Sequence, residues 1–105
     1  MAQFTVYRNT SSANKDTVPY LLNVQSDLLD DLETRVVIPL YPASVLKGKS
    51  FRTLTPIFEI EGNEYIMLTP QLAGISKKLL GSMVIDLSEK RSEIIAALDL
   101  LITGI

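Results

Sequence analysis

Two residue types that carry much of protein chemistry are missing from this chain, which has no cysteine and no histidine. Without cysteine there are no disulfides and no thiolate metal sites, as in proteins of a reducing cytoplasm, where we expect this one to be. Without histidine, the usual general base and the commonest metal ligand are also absent. The acidic cluster of Asp27, Asp30, Asp31 and Glu33 is interpreted as a solvated loop. The sequence therefore predicts no catalytic residue, no metal and no cofactor.

An excess of one charge and long apolar runs are also lacking. Ten basic and twelve acidic residues leave a net charge of −2, so bulk charge does not attract the chain to nucleic acid. No apolar run approaches the length that spans a membrane, and no secretory signal is visible at the N-terminus. The 105 residues, 47% of them hydrophobic, predict a single domain over residues 1–105. A mean hydropathy of +0.23 favours an oligomer that covers some apolar surface.

Short alternating segments predict a mainly β protein. Residues 3–7 and 20–25 alternate between apolar and polar side chains, and residues 35–41 form a denser apolar run. Pro39 has no N–H to donate, so we expect the third strand to be bulged or at a sheet edge there.

A hairpin is the clearest local prediction. Residues 57–61 and 64–68 flank Gly62-Asn63, a pair of residues typical of a two-residue turn. Counting outward from that turn gives the pairs Glu61–Glu64, Ile60–Tyr65 and Phe58–Met67.

One long amphipathic helix is predicted at the end of the chain, after the strands. Asp86 or Ser88 is expected to cap it, and Gly104 to end it. Its apolar stripe comprises Ile94, Leu98, Leu101 and Ile105, widened by Ile95 and Ile102. Two interpretations of residues 102–105 stay open: a tail tucked against the core, or a tail presented to a partner together with its carboxylate. Strands followed by a helix predict a small antiparallel barrel-like sheet with a helix packed across it.

Several segments, each weak alone, resemble in their order and spacing the CcdB family of bacterial toxins, which are gyrase poisons of toxin–antitoxin pairs. They are residues 3–7 (QFTVY), 24–30 (VQSDLLD), 35–40 (RVVIPL), 67–69 (MLT), 86–88 (DLS) and 104–105 (GI). The resemblance implies an SH3-like barrel with a C-terminal helix, assembled as a cytoplasmic homodimer. Residues 8–18 and 47–55 do not closely resemble the plasmid-borne members.

The resemblance also implies a function without chemistry, so the protein is expected not to be an enzyme. Members of the family insert their dimer between the A subunits of DNA gyrase and trap gyrase on cleaved DNA. The positions implied to bind gyrase are Thr103, Gly104 and Ile105. Well-known members have Trp-Gly-Ile there, and threonine cannot stack on an arginine as tryptophan can. Either other contacts supply the affinity or the toxin is weakened; we favour retained activity.

A second partner implied by the resemblance is a CcdA-like antitoxin, whose disordered C-terminal segment folds over the toxin. The matching positions are Asp27, Leu28, Leu29, Asp99, Ile102, Thr103 and Gly104. Asp99 stands where plasmid-type members have asparagine. Nucleic acid is expected only indirectly, through gyrase or through operator DNA bound by the toxin–antitoxin complex. Two alternatives remain open: an mRNA endoribonuclease toxin, and a binding module that kept the fold but lost the toxicity.

Overall fold

Strands precede a single long helix along residues 2–46 and 51–104, the part of the chain described by this computed structural model. The strands are β1 (Thr5–Asn9), β2 (Tyr20–Asn23), β3 (Thr34–Pro42), β4 (Ile57–Ile60), β5 (Asn63–Met67), β6 (Ala73–Ser76) and β7 (Leu80–Asp86). The helix is α1 (Arg91–Thr103), and 3-10 turns lie at Asp27–Leu29, Ala43–Leu46, Thr69–Gln71, Lys77–Leu79 and Ser88–Lys90. This order confirms the predicted mainly β fold with a C-terminal helix.

The strands form one antiparallel sheet in the order β4-β5-β3-β2-β1-β7. The long strand β3 joins its two parts, because its first half pairs with β6 and its second half with β5. This change of partner curls the sheet into a half-barrel, consistent with the SH3-like architecture that was predicted.

Pro39 lies where β3 changes partner, which explains how a central strand tolerates proline. The Leu22–Ile38 and Tyr20–Leu40 pairs take the hydrogen-bonded positions toward β2, so the nitrogen of Pro39 points to the other side. On that side β6 pairs only up to Val37, and β5 begins at Leu40. The missing N–H therefore falls between the β3–β6 and β3–β5 ladders. Pro39 was predicted at a bulge or a sheet edge, and it lies instead where β3 passes from one partner strand to the other.

The core lies between the concave side of the sheet and α1. Alternate strand residues are almost fully buried there, and so are two residues of the helix: Val6, Leu22, Ile38, Leu40, Phe58, Ile60, Met67, Ile94 and Ala97. Leu98 and Leu101 are half-buried on the same helical face. Ile102 is 72% exposed, so the prediction that it widens the buried stripe was wrong. Ile105 lies outside the described residues.

The β4–β5 hairpin is present, but its turn lies one residue earlier than predicted, so the partner of each β4 residue is shifted by two residues. The turn is Glu61-Gly62, and the strand pairs are Ile57–Ile66, Phe58–Tyr65, Glu59–Glu64 and Ile60–Asn63. Both turn residues have positive φ, 52° at Glu61 and 85° at Gly62, as a twisted two-residue turn requires. Few residues other than glycine adopt this backbone conformation, so the register depends on the contacts that hold Glu61 in it.

Candidate functional site

Two apolar side chains project from the 3-10 turn Asp27–Leu29, which we call the leucine turn. Leu28 is 94% exposed and Leu29 is 49% exposed. The Ser26 hydroxyl caps the turn by accepting a hydrogen bond from the Leu28 N–H at 3.1 Å. Exposed leucines on an ordered turn are suited to contact a partner.

Hydrogen bonds from Gln3 and Gln25 hold the leucine turn against the sheet. The Gln3 N–H donates to Asp27 Oδ1 at 2.8 Å, which ties the turn to the segment before β1. The buried Gln25 donates from Nε2 to the Leu29 carbonyl at 3.1 Å, and its Oε1 accepts from the Val36 N–H at 3.0 Å. One amide side chain thus bridges the turn and β3.

Arg35 holds the loop that follows the leucine turn, residues 30–34, through hydrogen bonds to its backbone. Its side chain is only 3% exposed and donates hydrogen bonds to the carbonyls of Asp30, Leu32 and Thr34. It also forms an ion pair with Asp30 Oδ1 at 3.0 Å. Because a buried guanidinium needs several acceptors, the loop and Arg35 order one another. Sequence reasoning did not assign Arg35 or Gln25 this role, although both lie in segments that carried the resemblance.

At the other end of the chain, α1 finishes in a short exposed segment, residues 102–104, which we call the tail. Ile102, Thr103 and Gly104 are all exposed. The Thr103 hydroxyl donates to the Asp99 carbonyl at 2.7 Å, so it is bound to its own helix. These positions favour the second of the two interpretations of the tail, in which it faces outward.

Gly104 ends the helix in the left-handed conformation, with φ at 77° and its N–H donating to the Leu100 carbonyl at 3.0 Å. A Cβ at this position would meet no heavy atom within 4 Å. The requirement for glycine is therefore one of backbone conformation and not of space. Ile105, the third predicted gyrase contact, lies outside the described residues.

The two sets of predicted site residues are held independently. The leucine turn bonds to Gln3 and Gln25, whereas the hydrogen bonds of the tail stay within α1. Within residues 2–46 and 51–104, no hydrogen bond joins one set to the other. The roles of these residues remain predictions.

The clearest electrostatic cluster lies elsewhere, at the hairpin turn. The Tyr20 hydroxyl donates to Glu61 Oε1, and Arg8 Nη2 lies 3.3 Å from the same oxygen. Arg8 also stacks over the Tyr20 ring at 5.7 Å, and Tyr65 packs edge-on against that ring. Burial and the bond to Glu61 raise the pKa of Tyr20 to about 12, and the same bond lowers the pKa of Glu61. The cluster holds Glu61 in its left-handed conformation.

Neither a metal centre nor a membrane span is found in the part of the chain that the structure describes. No group of three or more acidic side chains there could hold a metal ion. Likewise, α1, with 13 residues, is too short to cross a membrane.

A known protein family matches this chain. The family model described as CcdB protein matches residues 3–104, nearly the whole chain, and the matched range includes both the leucine turn and the tail.

Proposed function

The chain belongs to the CcdB family, the toxins of toxin–antitoxin pairs, and from this premise we propose that it is a poison of DNA gyrase. It acts as a homodimer on the gyrase A subunit, traps gyrase on cleaved DNA, and is neutralised by a CcdA-like antitoxin. The observation that carries this proposal is the family match through residue 104, together with the exposed left-handed glycine, Gly104, that ends α1.

The mechanism needs no reaction by the toxin itself. A protein that binds one state of gyrase more tightly than the others increases the population of that state. Exposed side chains on a rigid support are enough for this, because a preorganised surface loses little entropy on binding. The helix end supplies such a support, since Gly104 and Thr103 both hydrogen-bond back to α1.

Within the tail, Ile102 is the side chain best suited to replace the missing aromatic contact. Thr103 is small, and its hydroxyl is already bonded to the Asp99 carbonyl. Ile102 precedes it, is 72% exposed and is fully apolar. We therefore assign the main apolar gyrase contact of the described tail to Ile102, with Gly104 setting the direction of the chain beyond it.

Antitoxin and gyrase share the tail in this proposal, and the leucine turn belongs to the antitoxin alone. Leu28, almost fully exposed, offers a disordered segment an apolar anchor. Binding that extends from the leucine turn to the tail covers the gyrase contact. Neutralisation then follows from competition for one surface.

The decisive experiment is a cleavage assay with purified gyrase, ATP and supercoiled plasmid, stopped with detergent and protease. Linear DNA should accumulate with the full chain and not with a variant that lacks Gly104 and Ile105. The matched control is Asp16→Asn, an exposed change in the loop between β1 and β2, which should behave as the wild type. Circular dichroism of the truncated chain should show an unchanged fold.

Two results would contradict the proposal. Absence of linear DNA at every toxin concentration would remove gyrase as the target, and RNA cleavage by the protein alone would then favour the endoribonuclease alternative. Equal poisoning by the truncated chain would remove the tail from the mechanism. For the antitoxin arm, Leu28→Ala should weaken neutralisation when the antitoxin is added to this assay, while leaving poisoning intact. Val45→Ala, another apolar change at an exposed position outside the leucine turn, should leave both intact.

A further inference from the structure

Strand β4 is the outermost strand at one end of the sheet. Phe58 and Ile60 take the hydrogen-bonded positions opposite β5, because the turn lies between Ile60 and Asn63. The backbone N–H and C=O groups of Ile57 and Glu59 therefore point away from the sheet. Among residues 2–46 and 51–104, no hydrogen bond reaches these groups. Such an edge can pair with an extended chain.

A groove runs beside the start of this edge and separates it from α1. Its volume is about 450 Å³, and its lining includes Ile57 on one side and Ser92, Glu93 and Ala96 of α1 on the other. The size falls in the range of clefts that hold ligands. Ile57, 45% exposed, gives the groove an apolar wall. The helix thus leaves room beside the strand and does not fill it.

The charge of the hairpin indicates what the edge can accept. Glu59 and Glu64 lie directly opposite each other, in a position where side chains approach most closely. Both are exposed, and neither forms an ion pair within the described residues. No lysine or arginine occurs between residues 57 and 67. Arg52 and Glu93 both line the groove, so their charges offset each other and leave the edge acidic.

We propose that β4 is a docking edge for an extended peptide segment of a partner protein that carries basic side chains at alternate positions. Backbone groups of Ile57 and Glu59 would pair with the segment. A basic side chain would neutralise the Glu59–Glu64 pair, while an apolar one would contact Ile57. A second copy of this chain is disfavoured, because β4 against β4 brings two acidic hairpins together. This surface is separate from the leucine turn and the tail, so the proposal does not depend on gyrase.

A labelled synthetic peptide tests the proposal directly. The probe is acetyl-Ser-Lys-Thr-Val-Thr-Lys-Ser-amide, in which lysine and valine share one face of a strand. Fluorescence anisotropy should show saturable binding that weakens with salt, and hydrogen exchange by NMR should show slowed exchange at the amides of Ile57 and Glu59. Glu59→Gln and Glu64→Gln should each weaken binding about tenfold, because each removes a charge that the lysines face.

Three controls make the test specific. Asp16→Asn removes an exposed carboxylate far along the chain and should leave affinity unchanged. A peptide with glutamate in place of lysine should not bind, and a peptide N-methylated at its lysines and valine should not bind, since it cannot pair with the strand. The proposal is overturned by absence of binding, by equal binding of the N-methylated peptide, or by affinity that survives Glu59→Gln. Concentration-dependent protection of Ile57 and Glu59 without peptide would overturn it in favour of a second copy.

Discussion

The leucine turn and the tail both expose apolar side chains, but they are held in place in different ways. Bonds from residues outside the turn order it and its loop: Gln3 before β1, Gln25 after β2 and Arg35 in β3. The tail is ordered by bonds inside one helix, from Thr103 to Asp99 and from Gly104 to Leu100. A change at the turn therefore reaches the sheet, whereas a change at the tail stays local. Binding and stability should be coupled at the first surface and separable at the second.

The largest effect should come from removing the support of the turn. Arg35→Met removes the buried guanidinium and leaves the carbonyls of Asp30, Leu32 and Thr34 without their donor. We expect the free energy of unfolding to fall by about 3 kcal/mol, measured by urea denaturation. Lys78→Met, an exposed change near β7, is the matched control and should shift it by less than about 0.5 kcal/mol. A small loss in Arg35→Met would mean that the loop is ordered without this side chain.

The tail should give the opposite result, a functional loss with little loss of stability. Gly104→Ala must hold an alanine at a φ of 77°, which costs about 1 kcal/mol locally. The end of α1 should fray instead, so we expect cleavage-complex formation to fall at least about tenfold while the urea midpoint hardly moves. Gly74→Ala, where the new Cβ also has free space and φ is ordinary, is the matched control. Wild-type poisoning by Gly104→Ala would show that the direction of the tail is unimportant.

Glu61 and Gly104 both have a left-handed backbone conformation, but only Glu61 is held in it by titratable groups. Stability at the hairpin turn should therefore depend on pH, whereas stability at the tail should not. Glu61 needs the hydroxyl of Tyr20, whose pKa is raised from 10.0 to about 12 in the folded protein. A raised pKa means that the folded state holds this proton more tightly, so its stabilisation is complete below pH 10 and is lost as pH rises toward 12. The wild type should lose stability relative to Tyr20→Phe across this interval.

Urea denaturation of both proteins at several pH values between 7 and 11.5 provides the measurement. In acid, below that range, the pH dependence has the opposite sign. The pKa of Glu61 is lowered in the folded protein, so the stabilisation by its carboxylate is present above the ordinary pKa of glutamate and is lost as pH falls. Tyr7→Phe serves as the control for removing a buried phenol elsewhere. A constant difference between wild type and Tyr20→Phe over the alkaline range would contradict the role of the phenol.

The sequence predicted what depends on neighbours along the chain and missed what depends on distant ones. Alternation identified β1 and β2, and the apolar spacing placed Ile94 and Leu98 on the inner face of α1. The hairpin was expected, but its turn lies one residue earlier and its pairs are shifted by two, because Glu61 is held by Tyr20 and Arg8, which are 41 and 53 residues away.

The same limit applies to the candidate site. The positions of the leucine turn and the tail came from a resemblance, and their exposure was not readable from composition. Gln25 and Arg35 gave no signal as supports, because their partners are mostly backbone carbonyls and N–H groups that carry no residue-specific pattern. Ile102 was assigned to the buried stripe by its helical spacing, which does not say how far along α1 the core extends, and it is 72% exposed.

The smallest effect is expected at Thr103, the residue that stands in place of the family tryptophan. Thr103→Ala removes a hydroxyl bonded only to its own helix, and alanine favours helix more than threonine does, so stability should change by less than about 0.5 kcal/mol. Poisoning should stay within about twofold of wild type, because a bound hydroxyl and one methyl group offer gyrase little. Ile102→Ala, the matched change one residue earlier, should reduce cleavage-complex formation about tenfold by removing a 72% exposed apolar side chain. If Thr103→Ala proves the more damaging of the two, the tail contacts gyrase through the threonine after all, and the apolar substitute for tryptophan is not Ile102.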